Sequence, residues 1–531
     1  MMPRLALPAI ALVAFGLRIW GFTFGLPAVY RPDENVVVGR AVGVLHGAFD
    51  PRFADWPHLY FYVSAAWLGA LRPIFAWLGP AAPYLGVRLL GAILGTATVV
   101  VVYLLGRRAY GQAAGLLAAL FLALAFLHVR DSHFATIDVP LTLAVTVVLY
   151  LAVRLMETGT GKAGILTAAA LGIAAGVKYN GALALAGIAA AVGSRPSARS
   201  VRTLAAVGLQ VLAIALIGLV VFAVTSPFLI IDFARFQSSL GYIFQHLAAP
   251  SSPEIGWIRL VRLGLWYGLD PPLFLLGLAG VIYAVMWRTP ADWILLAFLV
   301  AYYGLIGVGH TDYARYADPL LPGLVLLAAR FLTEIAWRFR RTGLILAVGA
   351  ALVSLPALAH DFSFDSLLPR TDTRTEAFAW LASHVPAGAR VAEQYYAGPS
   401  HDQALIDSRS RSYGATDPEI ASYLQNRLQD RYSVHELSDQ ELNTPSLETL
   451  RADGVEYVVL SSAIPQTGCG PLPPVSVPLE ATGPPLATFE PTSGCPDSVF
   501  DTIDAFFVPL QGYDGWVRPG PSIKIYRIGP G

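Results

Sequence analysis

Long apolar runs alternate with short polar connections over the first 358 residues. A helix needs about 20 apolar residues to cross the hydrocarbon core of a bilayer. The pattern therefore predicts eleven membrane-spanning helices in a transmembrane domain of residues 1–358. The predicted spans cover residues 5–26, 85–106, 112–128, 138–156, 163–177, 180–194, 203–225, 271–287, 291–309, 315–333 and 342–358.

The basic residues predict which side of the membrane each connection occupies. Cytoplasmic connections of membrane proteins carry an excess of Arg and Lys. We therefore expect Arg107, Arg108 and the segments 195–202 (RPSARSVR) and 338–341 (RFRR) in the cytoplasm, together with Arg4. The N-terminus is then cytoplasmic, and the C-terminal part of the chain lies outside.

One further apolar run, residues 58–79, does not fit this arrangement as a span. If it crossed the membrane together with the run that follows, the later arginine clusters would lie outside. Arg72 and Pro73 also interrupt it, and His58 opens it. We predict that this run is an interfacial helix or a re-entrant segment within a first outer loop of residues 27–84.

The composition becomes less apolar after about residue 359. The last 170 or so residues are enough for one domain, and their pattern mixes helical and strand periods. We predict an extracytoplasmic α/β domain over residues 359–531. Its predicted helical segments are 374–385 and 417–452, and its predicted strands are 390–396, 456–462 and 523–528.

Cys469 and Cys495, the only two cysteines of the chain, both lie in this second domain. In an oxidising compartment they would form a disulfide bond. The alternative is a pair of free thiols.

The composition supports the assignment to the membrane. The chain is 55% hydrophobic and only 14% charged, with a mean hydropathy of +0.56, whereas soluble domains carry about 25% charged residues. The formal net charge is zero, so nothing indicates a nucleic-acid partner. The sequence contains no phosphate-binding GxxxxGK[ST] motif, no GxSxG and no Cys/His cluster of the kind that binds zinc.

Two adjacent carboxylates, Asp33 and Glu34, lie in the first outer loop just after the first apolar run. A helix that starts near Pro32 would place both in its first turn, where the helix dipole favours carboxylates. The functional interpretation is a general base that accepts a proton from an attacking hydroxyl or amine. Both interpretations remain open at this point.

Further ionisable residues lie at the outer ends of predicted spans, where unpaired charges are costly and functional sites are common. Each also has a structural interpretation as a helix cap, an interface anchor or a snorkelling side chain. The candidates are Arg88, Arg130, His133, Asp138, Lys178 and Arg315, the last of which lies between Tyr313 and Tyr316.

The order of these features resembles the glycosyltransferase C superfamily, and within it the protein O-mannosyltransferase and aminoarabinose-transferase families. The motifs that carry the resemblance, besides Asp33 and Glu34, are WPHLYFY (56–62), GVRLLGAILG (86–95), RDSHFATIDVPL (130–141), GIAAGVKYNG (172–181) and RYADPLLP (315–322). Many members read HPPL where this chain reads WPHL, so Trp56 and His58 depart from the pattern.

The resemblance implies a multi-pass enzyme of the cell membrane that takes a sugar from a polyprenyl-phosphate carrier and transfers it, with inversion, to a protein, lipid or glycan acceptor outside. Asp33 would be the catalytic base, with Glu34 beside it. Arg88 and Lys178 would lie near the carrier phosphate, and Asp138 at the edge of the site. The remaining expected substrate contacts are His58, Arg130, His133, Tyr313 and Arg315.

We expect no cofactor, and a metal ion has only thin support. Two other classes of function remain open. A transporter or flippase would place its ionisable residues near the middle of the membrane and show repeated halves, whereas a membrane scaffold would tolerate the loss of Asp33.

Overall fold

The computed structural model describes residues 3–26, 28–75, 81–195, 201–248, 254–309, 313–394, 432–443, 446–462, 472–501, 504 and 506–529. The chain forms two compact units. Unit 1 comprises Met1–Ile19, Phe49–Ala70 and Gly86–Phe362, and unit 2 comprises Trp20–Ala48, Leu71–Leu85 and Ser363–Gly531. The predicted domain boundary after residue 358 stays a prediction. The two units describe which segments pack together, and this does not test which segments fold independently.

The chain up to residue 367 is almost entirely helical. Its α-helices are Pro3–Ile19, Pro32–Leu45, Leu59–Phe75, Ala82–Tyr110, Gln112–Ala123, Phe126–Asp131, Asp138–Thr158, Gly161–Val177, Leu185–Gly193, Val201–Thr225, Phe228–Ile231, Phe233–Ala248, Gly256–Arg259, Tyr267–Leu269, Pro271–Trp287, Pro290–Ile306, Leu321–Ala336 and Thr342–Leu367. Tighter 3₁₀ segments cover Tyr179–Ala184 and Ala314–Leu320, and a wider π-helical segment covers Leu260–Trp266.

Five stretches of the described helices are long and apolar enough to cross a bilayer. A sixth would be the pair Gly256–Leu269 and Pro271–Trp287, which is bent by 114°. The five stretches are Ala82–Tyr110, Asp138–Thr158, Leu204–Thr225, Ala314–Ala336 and Thr342–Leu367. The chain is thus a protein of many apolar helices, while the number of eleven spans and the cytoplasmic N-terminus stay predictions.

The predicted span 5–26 is wrong for residues 20–26, because the helix ends at Ile19. Gly21 and Gly25 follow with φ angles of +84° and +66°, a left-handed backbone that stops a right-handed helix. The predicted span 112–128 is also interrupted, since Ala125 is extended between two shorter helices. In the run 58–79 the helix covers Leu59–Phe75, and residues 76–79 lie outside the described residues.

Unit 2 contains a five-stranded mixed sheet. Its strands are β1 (Arg390–Gln394), β2 (Ser433–Leu437), β3 (Tyr457–Ser461), β4 (Ala487–Phe489) and β5 (Ile523–Arg527), in the order β2-β1-β3-β5-β4. β1 pairs in parallel with β2 and β3, whereas β5 pairs antiparallel with β3 and β4. The helices that accompany it are Thr373–His384, Asp439–Asn443, Leu447–Ala452 and Ser476–Thr482.

Apolar side chains cover both faces of this sheet, as the alternation along a central strand requires. Tyr457 and Val459 of β3 pack with Leu381 of the helix Thr373–His384 on one face. Val458 and Leu460 pack in a second apolar cluster on the other face. The sheet is therefore buried between two layers.

The sequence pattern located β1, β3, β5 and the helix Thr373–His384 within a few residues. It was wrong for Ser433–Leu437, which was expected to be helical but forms strand β2. Parallel pairing with β1 decides this conformation, because only the folded chain supplies the neighbouring strand. Residues 395, 396 and 417–431 of the predicted segments lie outside the described residues.

Candidate functional site

Asp138 forms the centre of a charged cluster in unit 1. It begins the helix Asp138–Thr158 and is 1% exposed. Lys178 Nζ donates a hydrogen bond of 2.7 Å to its Oδ1, and Arg315 Nε lies 3.4 Å from its Oδ2. One carboxylate thus holds two cations from segments that are far apart in the chain, and the trio has a formal charge of +1.

The local backbone explains how Lys178 reaches Asp138. Lys178 directly follows the helix Gly161–Val177 and is extended, with φ −153° and ψ 140°. The chain then turns back tightly, since a Cβ on Gly181 would lie 2.3 Å from the carbonyl oxygen of Ala174. Only glycine permits this close return, and the return leaves the lysine at the end of the helix.

Aromatic rings flank both cations. Lys178 Nζ lies 4.3 Å from the centroid of the Tyr316 ring, and Arg315 Cζ lies 3.9 Å from that of Tyr313. The two tyrosines meet edge to face, with their ring centroids 5.3 Å apart. Cation–π contacts of this kind hold a charged group in place without neutralising it, so the cations remain able to bind an anion.

Lys178 retains donor capacity in this arrangement. An ammonium group has three N–H donors, and the one hydrogen-bond acceptor described for Lys178 is Asp138. Its side chain is 12% exposed, compared with 2% for Asp138 and 7% for Arg315. Lys178 is therefore the member of the trio that is best placed to receive a ligand oxygen.

A second set of charges adjoins the trio. Arg130 Nε donates a 2.8 Å hydrogen bond to Oδ1 of Asp131, and both residues are 1% exposed. Asp318 is fully buried and interacts electrostatically with Asp131, Asp138 and Arg130. The side chains of Asp318 and Asp131 lie within hydrogen-bonding reach of each other, so two buried carboxyl groups adjoin at this point.

Asp318 was not among the predicted site residues, although it stands three positions after Arg315 in the same RYADP motif. The signal that could have found it was an acidic residue inside an apolar run, where an ionisable side chain is costly. Despite the neighbouring carboxylates, no three His, Cys, Asp or Glu side chains of the described ranges converge on a possible metal position. The absence of a cofactor stays a prediction.

The other candidates of unit 1 make contacts of a more structural kind. Arg88 is fully buried, with Cζ 6.0 Å from the centroid of the Phe134 ring. His133 Nδ1 is 2.9 Å from the carbonyl oxygen of Val129, one helical turn earlier. Arg88 therefore contacts the segment that follows the helix Phe126–Asp131, and His133 is fixed against the last turn of that helix.

His58 belongs to a loop that is tied to the residue next to Lys178. Its Nε2 lies 2.7 Å from the carbonyl oxygen of Phe53, and its backbone N–H donates to Oγ of Ser226. The hydroxyl group of Tyr179 donates a 2.6 Å hydrogen bond to the carbonyl oxygen of Ala54 in the same loop. The contacts of His58 fix this loop, and Tyr179 connects it to the charged cluster.

Asp33 and Glu34 lie in unit 2, in the first turn of the helix Pro32–Leu45. Arg31 precedes the helix in an extended conformation, and Pro32 occupies its first position, as proline often does. Asp33 is half-buried, whereas Glu34 is fully buried. The helix dipole favours both carboxylates in this turn, and Asp33 is the one that remains partly exposed.

Cys495 is disulfide-bonded in the structure. Cys469 lies outside the described residues, so the geometry of a pair between them is not described. The alternative of a free thiol is therefore wrong for Cys495.

Comparison with known protein families gives a partial match. A family model described as dolichyl-phosphate-mannose-protein mannosyltransferase matches residues 73–248. A curated relative from Aquifex aeolicus (strain VF5), described as an uncharacterized protein, is 31% identical over 144 residues. That alignment covers 25% of this chain and 27% of the relative, so the chain spans about a quarter of the relative's length.

Solved structures match over a much larger part of the chain. ArnT from Cupriavidus metallidurans bound to undecaprenyl phosphate has a TM-score of 0.52 and 14% identity, with 98% of this chain and 97% of that chain covered. The apo oligosaccharyltransferase of Archaeoglobus fulgidus has a TM-score of 0.52 and 13% identity, with 86% and 69% covered. A complex of that oligosaccharyltransferase, AglB, with an inhibitory peptide and a dolichol-phosphate matches with the same TM-score, identity and coverage. At these identities the likeness concerns the fold.

Proposed function

We propose that this chain, a member of the glycosyltransferase C superfamily of polyprenyl-phosphate-sugar-dependent transferases, transfers a sugar from a polyprenyl-phosphate carrier to an acceptor on the extracytoplasmic face of the membrane. The protein would be a multi-pass protein of the cell membrane. Its partners would be the lipid-linked donor, the surrounding lipid, and a protein, lipid or glycan acceptor.

The observation that carries the proposal is the trio of Asp138, Lys178 and Arg315. The carrier phosphate of such a donor is a phosphodiester with one negative charge, and it needs charge-assisted donors in a place of low dielectric. Lys178 and Arg315 provide such donors, and their shared carboxylate keeps them together before the ligand arrives. The leaving lipid phosphate gains a second charge as the sugar departs, which the same cations would stabilise.

The proposed chemical step is a single displacement at the anomeric carbon. The acceptor oxygen or nitrogen forms a bond to sugar C1 while the bond from C1 to the phosphate oxygen breaks, and the electron pair of that bond stays on the phosphate. Asp33 takes the proton that the acceptor loses. Attack opposite the leaving group inverts the anomeric centre, and Glu34 supports the turn that carries Asp33.

The names of the similar proteins support the donor class. The matching family model is named for dolichyl-phosphate mannose, and the similar structures were solved with undecaprenyl phosphate and dolichol-phosphate. We extend the class of carrier, a polyprenyl phosphate, to this chain. The sugar and the acceptor are left for the experiment to identify.

The test uses the purified full chain in lipid nanodiscs. It is incubated with a panel of polyprenyl-phosphate sugars and candidate acceptors, and release of the free lipid phosphate is measured. We expect release with one donor. For Lys178→Met we expect a fall of about 10- to 100-fold in kcat/KM, since a hydrogen bond to a charged group contributes about 1.5–3 kcal/mol.

Lys162→Met is the matched control, because Lys162 is an exposed lysine at the start of the same helix Gly161–Val177. It should release lipid phosphate at the wild-type rate. Equal losses in both variants would remove Lys178 from the phosphate site. Movement of labelled carrier between leaflets with no release from any donor would favour a flippase instead.

A further inference from the structure

A buried ion pair joins the start of the Asp33 helix to the far end of the chain. The guanidinium group of Arg31 donates through Nη1 to Oδ1 of Asp504, which lies 473 residues later. Arg31 is fully buried, and the Asp504 side chain is 7% exposed. Both residues belong to unit 2. Burying two charges is costly unless their geometry is good, so this pair constrains both segments strongly.

Aromatic contacts reinforce the same junction. Arg31 Cζ lies 5.1 Å from the centroid of the Phe506 ring, and Phe506 meets Phe24 edge to face at 6.1 Å. The hydroxyl group of Tyr30 lies 2.8 Å from Oγ1 of Thr375. The two residues that precede Pro32 are thus held by three residues from two separate parts of the chain after residue 372.

The segment that carries Asp504 is itself held in a strained conformation. Phe507 has φ +64°, which a side chain with a Cβ rarely adopts. Arg374 Nη2 donates to the carbonyl oxygen of Phe506 at 3.2 Å, and the N–H of Gly520 donates to that of Phe507 at 3.1 Å. Strain of this kind persists only where the surroundings over-determine the backbone, and it concentrates at functional sites.

We propose that Asp504 is a positioning residue for Asp33. Asp504 fixes Arg31, Arg31 fixes the entry into the helix Pro32–Leu45, and this entry sets where the carboxylate of Asp33 points. The inference rests on the proposed function in one respect, namely that Asp33 is the base. The C-terminal part of the chain would then affect catalysis through the position of Asp33. A base displaced by about 1 Å can lose about 100-fold in rate.

The first variant is Asp504→Asn, which keeps the shape of the side chain and removes its charge. We expect kcat to fall by about 10- to 100-fold, with the KM for the donor within about twofold of wild type. Asp504→Glu restores the charge and should recover part of kcat. A variant that is merely unfolded would lose donor binding as well, and a melting measurement identifies it.

The second variant separates positioning from stability. Arg31→Met combined with Asp504→Leu replaces both charges by apolar groups, a change that often leaves stability intact. We expect thermal stability close to wild type and turnover that stays as low as in Asp504→Asn. Turnover that returns together with stability would overturn the proposal, because the pair would then be structural only.

Hydrogen exchange of the peptides that cover residues 32–45 distinguishes this proposal from the proposed function. If wild type turns over no donor, faster exchange in Asp504→Asn still supports the positioning pair, and unchanged exchange overturns it. Glu480→Gln is the control, since Glu480 forms an exposed ion pair with Lys524 Nζ at 3.2 Å in the same unit. Neither turnover nor exchange should change in that variant.

Discussion

The two units hold their key carboxylates in different ways. In unit 1, Asp138 is buried and shared between Lys178 and Arg315, two cations with aromatic rings beside them. In unit 2, Asp33 is half-buried, and the ion pair nearby is made by its neighbour Arg31 with Asp504. Asp138 thus contacts two cations directly, whereas the chain next to Asp33 is held by the pair of Arg31 with Asp504.

This difference matches two different chemical requirements. A site for a phosphate needs cations in a fixed place of low dielectric, so its carboxylate can be buried and fully engaged. A general base needs a carboxylate that can reach the acceptor and take its proton, and a partly exposed side chain permits this. In the proposed function unit 1 binds the anion and unit 2 supplies the base, and the substitutions below test each of these assignments.

The largest effect is expected from Asp33→Asn. Loss of a general base lowers kcat by about 100- to 10,000-fold, while donor binding and the melting temperature should stay near wild type because Asp33 is half-buried. The measurement is single-turnover release of lipid phosphate together with a binding titration of the donor.

Glu34→Gln is the matched comparison for Asp33→Asn, since Glu34 is the fully buried member of the pair. It should lower stability more than it lowers kcat, because a buried side chain contributes to packing and hydrogen bonding. A larger loss of kcat in Glu34→Gln than in Asp33→Asn would identify Glu34 as the general base and contradict the assignment of that role to Asp33.

The next effect separates two buried aspartates of one cluster. Asp138→Asn removes the charge that holds Lys178 and Arg315 together, so kcat/KM for the donor should fall by about 10- to 100-fold, equivalent to about 1.5–3 kcal/mol. Asp318→Asn removes a buried carboxylate that lies beside the carboxylate of Asp131. In this variant kcat/KM for the donor should stay within about threefold of wild type, or the donor KM should fall. The reason is that one negative charge near the anion site is lost.

Steady-state kinetics with a single donor measure both aspartate variants. If Asp318→Asn is the more damaging of the two, the trio is not the centre of the site, and the Arg130–Asp131–Asp318 group takes its place. If both variants are harmless, the phosphate is bound elsewhere.

The smallest effect is expected from Tyr179→Phe. This change removes the hydrogen bond from the Tyr179 hydroxyl to the carbonyl oxygen of Ala54 and leaves the ring in place. One hydrogen bond contributes about 1 kcal/mol, so the donor KM should rise by about fivefold if the loop helps to place Lys178. Tyr62→Phe is the control, because it loses a similar bond to the carbonyl oxygen of Phe49 without adjoining Lys178. Equal changes in both variants would mean that the loop acts on stability alone.

Much of the candidate site could be predicted from the sequence, because charged residues at the ends of apolar runs are conspicuous. Asp138, Lys178 and Arg315 were found in this way, and the structure brings them together with Tyr313. Asp318 was missed, since an acidic residue beside a proline can be taken for a helix start. For Arg88, His133 and His58 the prediction of a substrate contact stays untested, and their described contacts are structural.

The pairing of Arg31 with Asp504 could not be predicted at all. Neither residue stands in an unusual local pattern, and 473 positions separate them. An ion pair of this kind depends on how the chain after residue 372 folds, which no window of local sequence contains. The same holds for strand β2, whose residues Ser433–Leu437 become a strand only beside β1.

The sequence by itself determined the apolar helices, the kinds of charged residue at their ends and three strands of the sheet. Helical hydrogen bonds join residues four apart, and side chains alternate along a strand, so both patterns are readable locally. Tertiary structure alone decided which carboxylate pairs with which cation, and which distant residue pairs with Arg31. Those outcomes depend on the burial of charge between segments that are remote in sequence, where desolvation makes each pairing specific.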